Sequence, residues 1–136
     1  MSLYILDTDH VSLHQRNHPR LIAKLHTFTL DEVAITAVTL EEQMRGRLAQ
    51  IGQSGTNLTL AYTLLSVTVD YFCGLTILPF DDVAYQQYDR LRTQKIRIGT
   101  LDLRIAVIVL SQHATLVTRN QRDFAQVPEL KLEDWS

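Results

Sequence analysis

A three-layer α/β/α domain on a mostly parallel, five-stranded sheet is the fold this sequence predicts, on two observations. Short apolar runs of β type alternate with helical segments of ten residues or more, and connections of that length bring successive strands side by side in one direction. The 136 residues are 46% hydrophobic and 21% charged, which suits a chain of single-domain length that buries a core without disulfide or metal staples. Residues 1–136 are therefore read as one domain.

The elements follow in order. Tyr4-Ile5-Leu6 is a β-type run, and Asp7-Thr8-Asp9 comes directly after it, so the strand hands its carboxylates to the carboxyl edge of the sheet, where open α/β sheets bind ligands. Pro19 opens a helix over Arg20–Phe28, with Leu21, Ile22, Leu25 and Phe28 at three- and four-residue steps. Val33–Thr36 is the second strand, and Val38–Gln50 is a helix with Glu41 and Glu42 in its first turn, where negative charge suits the helix dipole. Ile51–Asn57 is a loop rich in turn residues. Leu58–Phe72 is apolar on most sides and is expected to be buried or to face a second copy. Thr76–Pro79 is a third strand, and Asp81 or Asp82 caps a helix Val83–Lys95 with Val83, Tyr88 and Leu91 inward. Gly99-Thr100 leads into an interior helix, Leu101–His113; Ala114–Thr118 is the fourth strand, Asp123–Gln126 a helical turn and Leu130–Leu132 the last strand before Trp135.

Composition excludes several classes. One cysteine, Cys73, rules out an intrachain disulfide and a cysteine-rich zinc site, and its apolar neighbourhood makes it a core residue. No stretch approaches roughly 18 uninterrupted apolar residues, so no membrane span is expected. Met1-Ser2-Leu3-Tyr4 runs straight into the first strand without an export segment, which points to the cytoplasm. A net charge of -2 does not mark a general nucleic-acid binder, yet Arg90, Arg92, Lys95, Arg97 and Arg104, with Arg119 and Arg122 later, allow a local basic surface.

The acidic groups carry the chemistry. Asp7 ends the first strand, Glu42 lies in the helix after the second, Asp102 in the first turn after Gly99, and Asp123 beyond the fourth strand. All fall on the carboxyl side of the sheet, so residues distant in sequence can share one pocket. Without a cation such carboxylates repel and raise one another's pKa. Mg²⁺ or Mn²⁺ suits them, because hard divalent ions favour oxygen ligands.

Leu6-Asp7-Thr8-Asp9, Thr39-Leu40-Glu41-Glu42 with Gly46 beyond, Asp102-Leu103-Arg104-Ile105-Ala106, Leu116 to Phe124, and the ending Glu133-Asp134-Trp135 together resemble the PIN-domain ribonucleases of the VapC toxin type, over essentially the whole chain. The resemblance implies a PIN-like fold and a Mg²⁺- or Mn²⁺-dependent endoribonuclease that uses an activated water and leaves a 5′-phosphate and a 3′-hydroxyl. It also implies a VapB-like antitoxin, a homodimer, and structured RNA such as tRNA as substrate. Asp7, Glu42, Asp102 and Asp123 match the family's acidic positions, Asn120 a position that is Asp or Asn, and Thr118 a hydroxyl residue beside the metal. Spacing from Thr39 to Gly46 favours Glu42 over Glu41, and Asn120 and Asp123 share the fourth role. Arg104 and Arg119, nearest in sequence to these groups, are the candidates for phosphate contacts.

Two rival functions are weighed against this one. Asp7-Thr8-Asp9-His10-Val11 also fits the opening of haloacid-dehalogenase-like phosphatases, with Asp7 as nucleophile and Asp9 as acid/base; Gly99 is followed by Thr100 rather than Asp, and the chain is short for that family. A PIN module that has stopped cutting and only binds is the other, and the full acidic set argues against it. Asp9 reads as a helix cap as readily as a ligand. His10, His14 and His18 recur every fourth residue, but no Glu or Cys completes a zinc set, so a solvated face is expected.

Overall fold

The computed structural model describes residues 2–53 and 55–136; Met1, and Ser54 of the expected loop, lie outside the described residues. Five strands, β1 (Tyr4–Leu6), β2 (Val33–Thr36), β3 (Ile77–Leu78), β4 (Thr115–Val117) and β5 (Lys131–Glu133), form one sheet in the order β3-β2-β1-β4-β5. Every pair is parallel, and Ile5 of β1 lies between Ala34 of β2 and Leu116 of β4. The helices are α1 (Thr8–Gln15), α2 (Pro19–Leu25), α3 (Ala37–Ile51), α4 (Leu58–Cys73), α5 (Asp82–Arg92), α6 (Thr100–Ser111) and α7 (Gln121–Phe124).

Strand alternation builds the layers. Successive strand residues face opposite sides, so Ile5, Ala34 and Leu116 enter a core shared with α5, α6 and Phe124, whereas Leu6, Ile35 and Val117 meet Val11, Leu21, Phe72 and Trp135 on the other face. Helix α6 buries Leu103 and the whole run Ile105–Val109, as its apolar composition predicts. Each fully buried large side chain, such as Ile5, Leu116 or Phe124, contributes about 1.5–3 kcal/mol.

The connectivity places the site. From β1 the chain moves to β2 and then to the edge strand β3, and it returns through α5 and α6 to β4 on the opposite side of β1. The order reverses between β1 and β4, and the carboxyl ends of those neighbours bound the crevice.

Several local expectations change. Thr8–Gln15 forms a helix of its own with Asp7 as N-cap residue, and Asp9 lies inside its first turn rather than capping it. Asp81, not Asp82, caps α5 by accepting a bond from the Ala84 amide. Val83 is 53% exposed, and Ala84 takes the inward place with Tyr88 and Leu91, because these three, at i, i+4 and i+7, share one helix face. Helix α4 is not interior. It buries only Ala61, Thr68 and Phe72, leaving Leu58, Leu60, Tyr62, Val67 and Val69 exposed. Cys73, its last residue, is exposed rather than in the core. No helix among the described residues is long and apolar enough to cross a membrane.

Candidate active site

The site begins where β1 stops. Asp7 donates its amide to the Val117 carbonyl at 2.9 Å, which continues the pairing of β1 with β4 by one residue. Its side chain makes no capping bond to α1. It turns instead to Thr118, the first residue after β4, whose Oγ1 donates to Asp7 Oδ2 at 2.8 Å. Asp7 is 6% exposed. Burial pushes its carboxyl from the ordinary 3.8 up to about 7; the Thr118 bond opposes that rise, and the charges of Asp9 and Asp102 add to it.

Glu42 reaches the same crevice from α3. Thr8 Oγ1 donates to Glu42 Oε1 at 2.8 Å and lies 3.2 Å from Thr39 Oγ1. The neighbouring Glu41 points elsewhere and pairs with Arg45 at 2.6 Å. Glu42 is half-buried, and its pKa is raised first by that burial and then by Asp102 and Glu41, with the Thr8 bond opposing. Asp102 enters from the first turn of α6, three residues after the N-cap Gly99. Its pKa is raised by burial, by Asp123 and by Asp9. Asp102 is thus an electrostatic neighbour of Asp7, Glu42 and Asp123 alike.

The turn after β4 supplies the rest. Asn120 is the N-cap of α7, donating Nδ2 to Asp123 Oδ2 at 3.2 Å while its Oδ1 accepts the Asp123 amide at 3.4 Å. Its own amide donates to Thr118 Oγ1 at 3.0 Å. The turn therefore orients Thr118 toward Asp7 and holds Asp123 where its charge acts on Asp102.

Among the described residues, none of these four carboxylates is ion-paired with lysine or arginine. Nor do three of His, Cys, Asp or Glu stand close enough there to enclose a bare ion. The donor set, all hard oxygen, still fits Mg²⁺ or Mn²⁺, because Mg²⁺ keeps several waters and needs only one or two carboxylates.

The expected basic contacts separate. The Arg104 guanidinium lies 5.5 Å over the Tyr88 ring, in a hollow of about 310 Å³ shared with Val38, Glu41 and Phe80. Arg119 is exposed, and its amide donates to Asp9 Oδ2 at 3.0 Å. Sequence reasoning passed over Thr8 as the partner of Glu42, since nothing in a threonine's spacing says which way its hydroxyl turns. It also passed over a groove of about 630 Å³ that begins at Glu42 and runs between α1, α3 and α4, lined by Arg16, Arg47, Gln50 and Tyr71. The histidines form neither a solvated face nor a metal stripe: His10 is fully buried, and His14 Nδ1 lies 2.6 Å from Tyr71 Oη.

The chain is similar to known proteins over nearly its whole length. The model of the PIN domain family matches residues 4–130. Ribonuclease VapC2 of Rickettsia felis is 30% identical over 146 residues, covering 98% of each chain. The tRNA(fMet)-specific endonuclease VapC of Salmonella typhimurium is 25% identical over 139 residues, covering 99% of each. A solved structure of VapBC2 from Rickettsia felis, bound to a DNA fragment from their promoter, matches with a TM-score of 0.79 at 26% identity, over 98% of this chain and 99% of that one. The chain belongs to the PIN-domain family, and within it to the ribonucleases of the VapC type.

Proposed function

We propose that this chain is a toxin that cuts RNA, a Mg²⁺- or Mn²⁺-dependent endoribonuclease whose catalytic carboxylates are Asp7, Glu42, Asp102 and Asp123. The observation that carries the reading is the buried Asp7 carboxyl, pushed up to about 7 with Asp9 and Asp102 beside it and no lysine or arginine paired to it among the described residues. A fold keeps such mutually repelling groups at a cost in stability, which an external cation offsets.

Asp7, Glu42 and Asp102, with Asn120 and Asp123, are the residues that would hold the ion. When bound, it supplies Lewis-acid stabilisation of the phosphate and lowers the pKa of a water at the scissile phosphorus. The chain's own groups prepare for this. Thr118 and Thr8 fix one oxygen each of Asp7 and Glu42, and the other oxygen of each accepts no side-chain hydrogen bond among the described residues. Asn120 holds Asp123 in the same way. No side chain needs to act as nucleophile, and water attack in line with the departing 3′-oxygen leaves a 5′-phosphate and a 3′-hydroxyl. The groove beyond Glu42 offers Arg16 and Arg47 to the RNA backbone, and Arg119, exposed beside Asp9, offers a further cation.

The Salmonella relative's name supports a structured RNA of tRNA type as substrate. The Rickettsia complex supports a VapB-type antitoxin as partner, in the cytoplasm where such RNA resides. The exposed apolar residues of α4 are the surface we assign to a homodimer or to that antitoxin. No observation favours the phosphatase reading. The test is sequencing of 5′-phosphate ends after the purified protein meets total RNA. Recurrent new ends in Mg²⁺ that vanish in EDTA support the reading, and unchanged ends overturn it.

A further inference from the structure

One buried group close to the site is left without a role by that scheme. His10 is 0% exposed, and both ring nitrogens are engaged. Nδ1 lies 2.7 Å from Asp9 Oδ1, and Nε2 lies 3.1 Å from the Trp135 amide nitrogen and 3.4 Å from Asp134 Oδ1. A backbone amide can only donate, so Nε2 accepts from Trp135 and Nδ1–H donates to Asp9. Asp9 in turn accepts the Arg119 amide on Oδ2 at 3.0 Å, with Thr118 Oγ1 at 3.3 Å. Thr118 has one proton, and the shorter 2.8 Å contact assigns it to Asp7.

The bonds thus form a continuous chain: Trp135 amide to His10, His10 to Asp9, and the turn at Thr118–Arg119 to Asp9. That turn aims the Thr118 hydroxyl at Asp7 and starts α7, which carries Asp123. At the far end Trp135 is clamped. Its indole stacks on Phe28 with centroids 5.0 Å apart and donates Nε1 to Glu133 Oε1 at 2.9 Å. Both Asp9 oxygens accept bonds within this bracket, and Asp9 lies in the first turn of α1 rather than at its N-cap.

We propose that His10 is a positioning residue of the candidate active site: it ties the seating of Trp135 through Asp9 to the turn that orients Thr118 on Asp7 and places Asp123. The inference rests on the ribonuclease reading for its catalytic readout, and its geometric half stands apart from that reading.

Two substitutions separate the links. His10→Asn places an amide nitrogen near the Nδ1 position and retains the donor to Asp9, whereas His10→Gln places its terminal group near Nε2 and retains only the Trp135 side. Steady-state cleavage of a fixed RNA in Mg²⁺ should show kcat for His10→Gln down at least about 10-fold, the scale of outer-shell partners, with KM little changed. His10→Asn should recover most of that loss. A purely structural role would instead lower the apparent kcat of each variant only in proportion to its unfolded fraction, measured by circular dichroism on the same samples, so that kcat per folded molecule would match the wild type. The second readout needs no activity. In ¹⁵N-edited spectra of the metal-free wild type, His10 should carry its proton on Nδ1, and the Arg119 amide should shift in His10→Gln but not in His10→Asn. A wild type that cuts RNA while His10→Gln matches it, or an Nε2–H tautomer, overturns the proposal. A wild type that does not cut at all overturns the ribonuclease reading and leaves the tautomer and the Arg119 shift to decide this one; if His10→Gln does not fold, the wild-type tautomer decides.

Discussion

Asp7→Asn should make the metal-free protein more stable while it removes the proposed activity. The Asp7 carboxyl is almost fully buried and moved from 3.8 to about 7. The folded state therefore holds this proton more tightly than the unfolded chain does. Stability from this group is intact below pH 3.8 and is lost as pH rises through about 7, since the unfolded chain ionises first. At about 1.4 kcal/mol for each tenfold in proton affinity, the loss amounts to about 4 kcal/mol above pH 7. Asparagine carries no charge, and its Oδ1 can still accept from Thr118. Urea unfolding in EDTA at pH 5 and pH 8 measures the effect. The wild type should lose stability between the two, and the variant should lose less and exceed the wild type at pH 8. A slope remains in the variant, because Glu42 and Asp102 are shifted in the same direction. Added Mg²⁺ should stabilise the wild type far more than the variant. Equal pH slopes, or a variant weaker than wild type at pH 8, would refute the idea that Asp7 is held against its own charge.

Three further outcomes follow from the same structure. Thr118→Val removes the hydroxyl on Asp7 and should lower cleavage about 10-fold while the variant still unfolds cooperatively; undiminished kcat would show that this hydroxyl is idle. Leu116→Ala, at a fully buried strand position between β1 and β5, should cost about 2–5 kcal/mol by chemical denaturation, and a loss under 1 kcal/mol would mean that the central sheet is not the core. Leu60→Ser with Val67→Ser, at positions 53% and 56% exposed, should leave stability within about 0.5 kcal/mol per site. The pair should weaken self-association or antitoxin binding by light scattering and titration, and unchanged assembly would assign the α4 face no partner.

The strands and their order of appearance were legible because short apolar runs between helices leave few alternatives. Tyr4–Leu6 and Val33–Thr36 are strands with the same bounds in sequence and structure. The choice of Glu42 over Glu41 rested on spacing, and the structure points Glu41 at Arg45 and Glu42 at Thr8. What failed was the facing of residues near helix ends. Val83 begins an apolar pattern but lies one position off the face set by Ala84, Tyr88 and Leu91. Cys73 shares the apolar neighbourhood of α4, yet only a narrow stripe of that helix touches the core. Helix α1 was missed because Thr8–Gln15 is largely polar and carries almost no amphipathic signal; its place is set by the tertiary contacts of Asp7, Asp9 and His10. Side-chain direction is the common missing quantity, and periodicity supplies it only where one face is buried.

The proposed nuclease requires four carboxylates from separate elements to act together through a divalent cation. Metal-stripped protein, wild type and Asp102→Asn, should be titrated with Mn²⁺ beside a labelled RNA, with bound metal and cleavage followed in the same samples. Cleavage that rises with metal occupancy in the wild type, and an Asp102→Asn variant that loses both while remaining folded, is the expected result. Cleavage that proceeds at zero occupancy, or that survives the loss of Asp102, would contradict it.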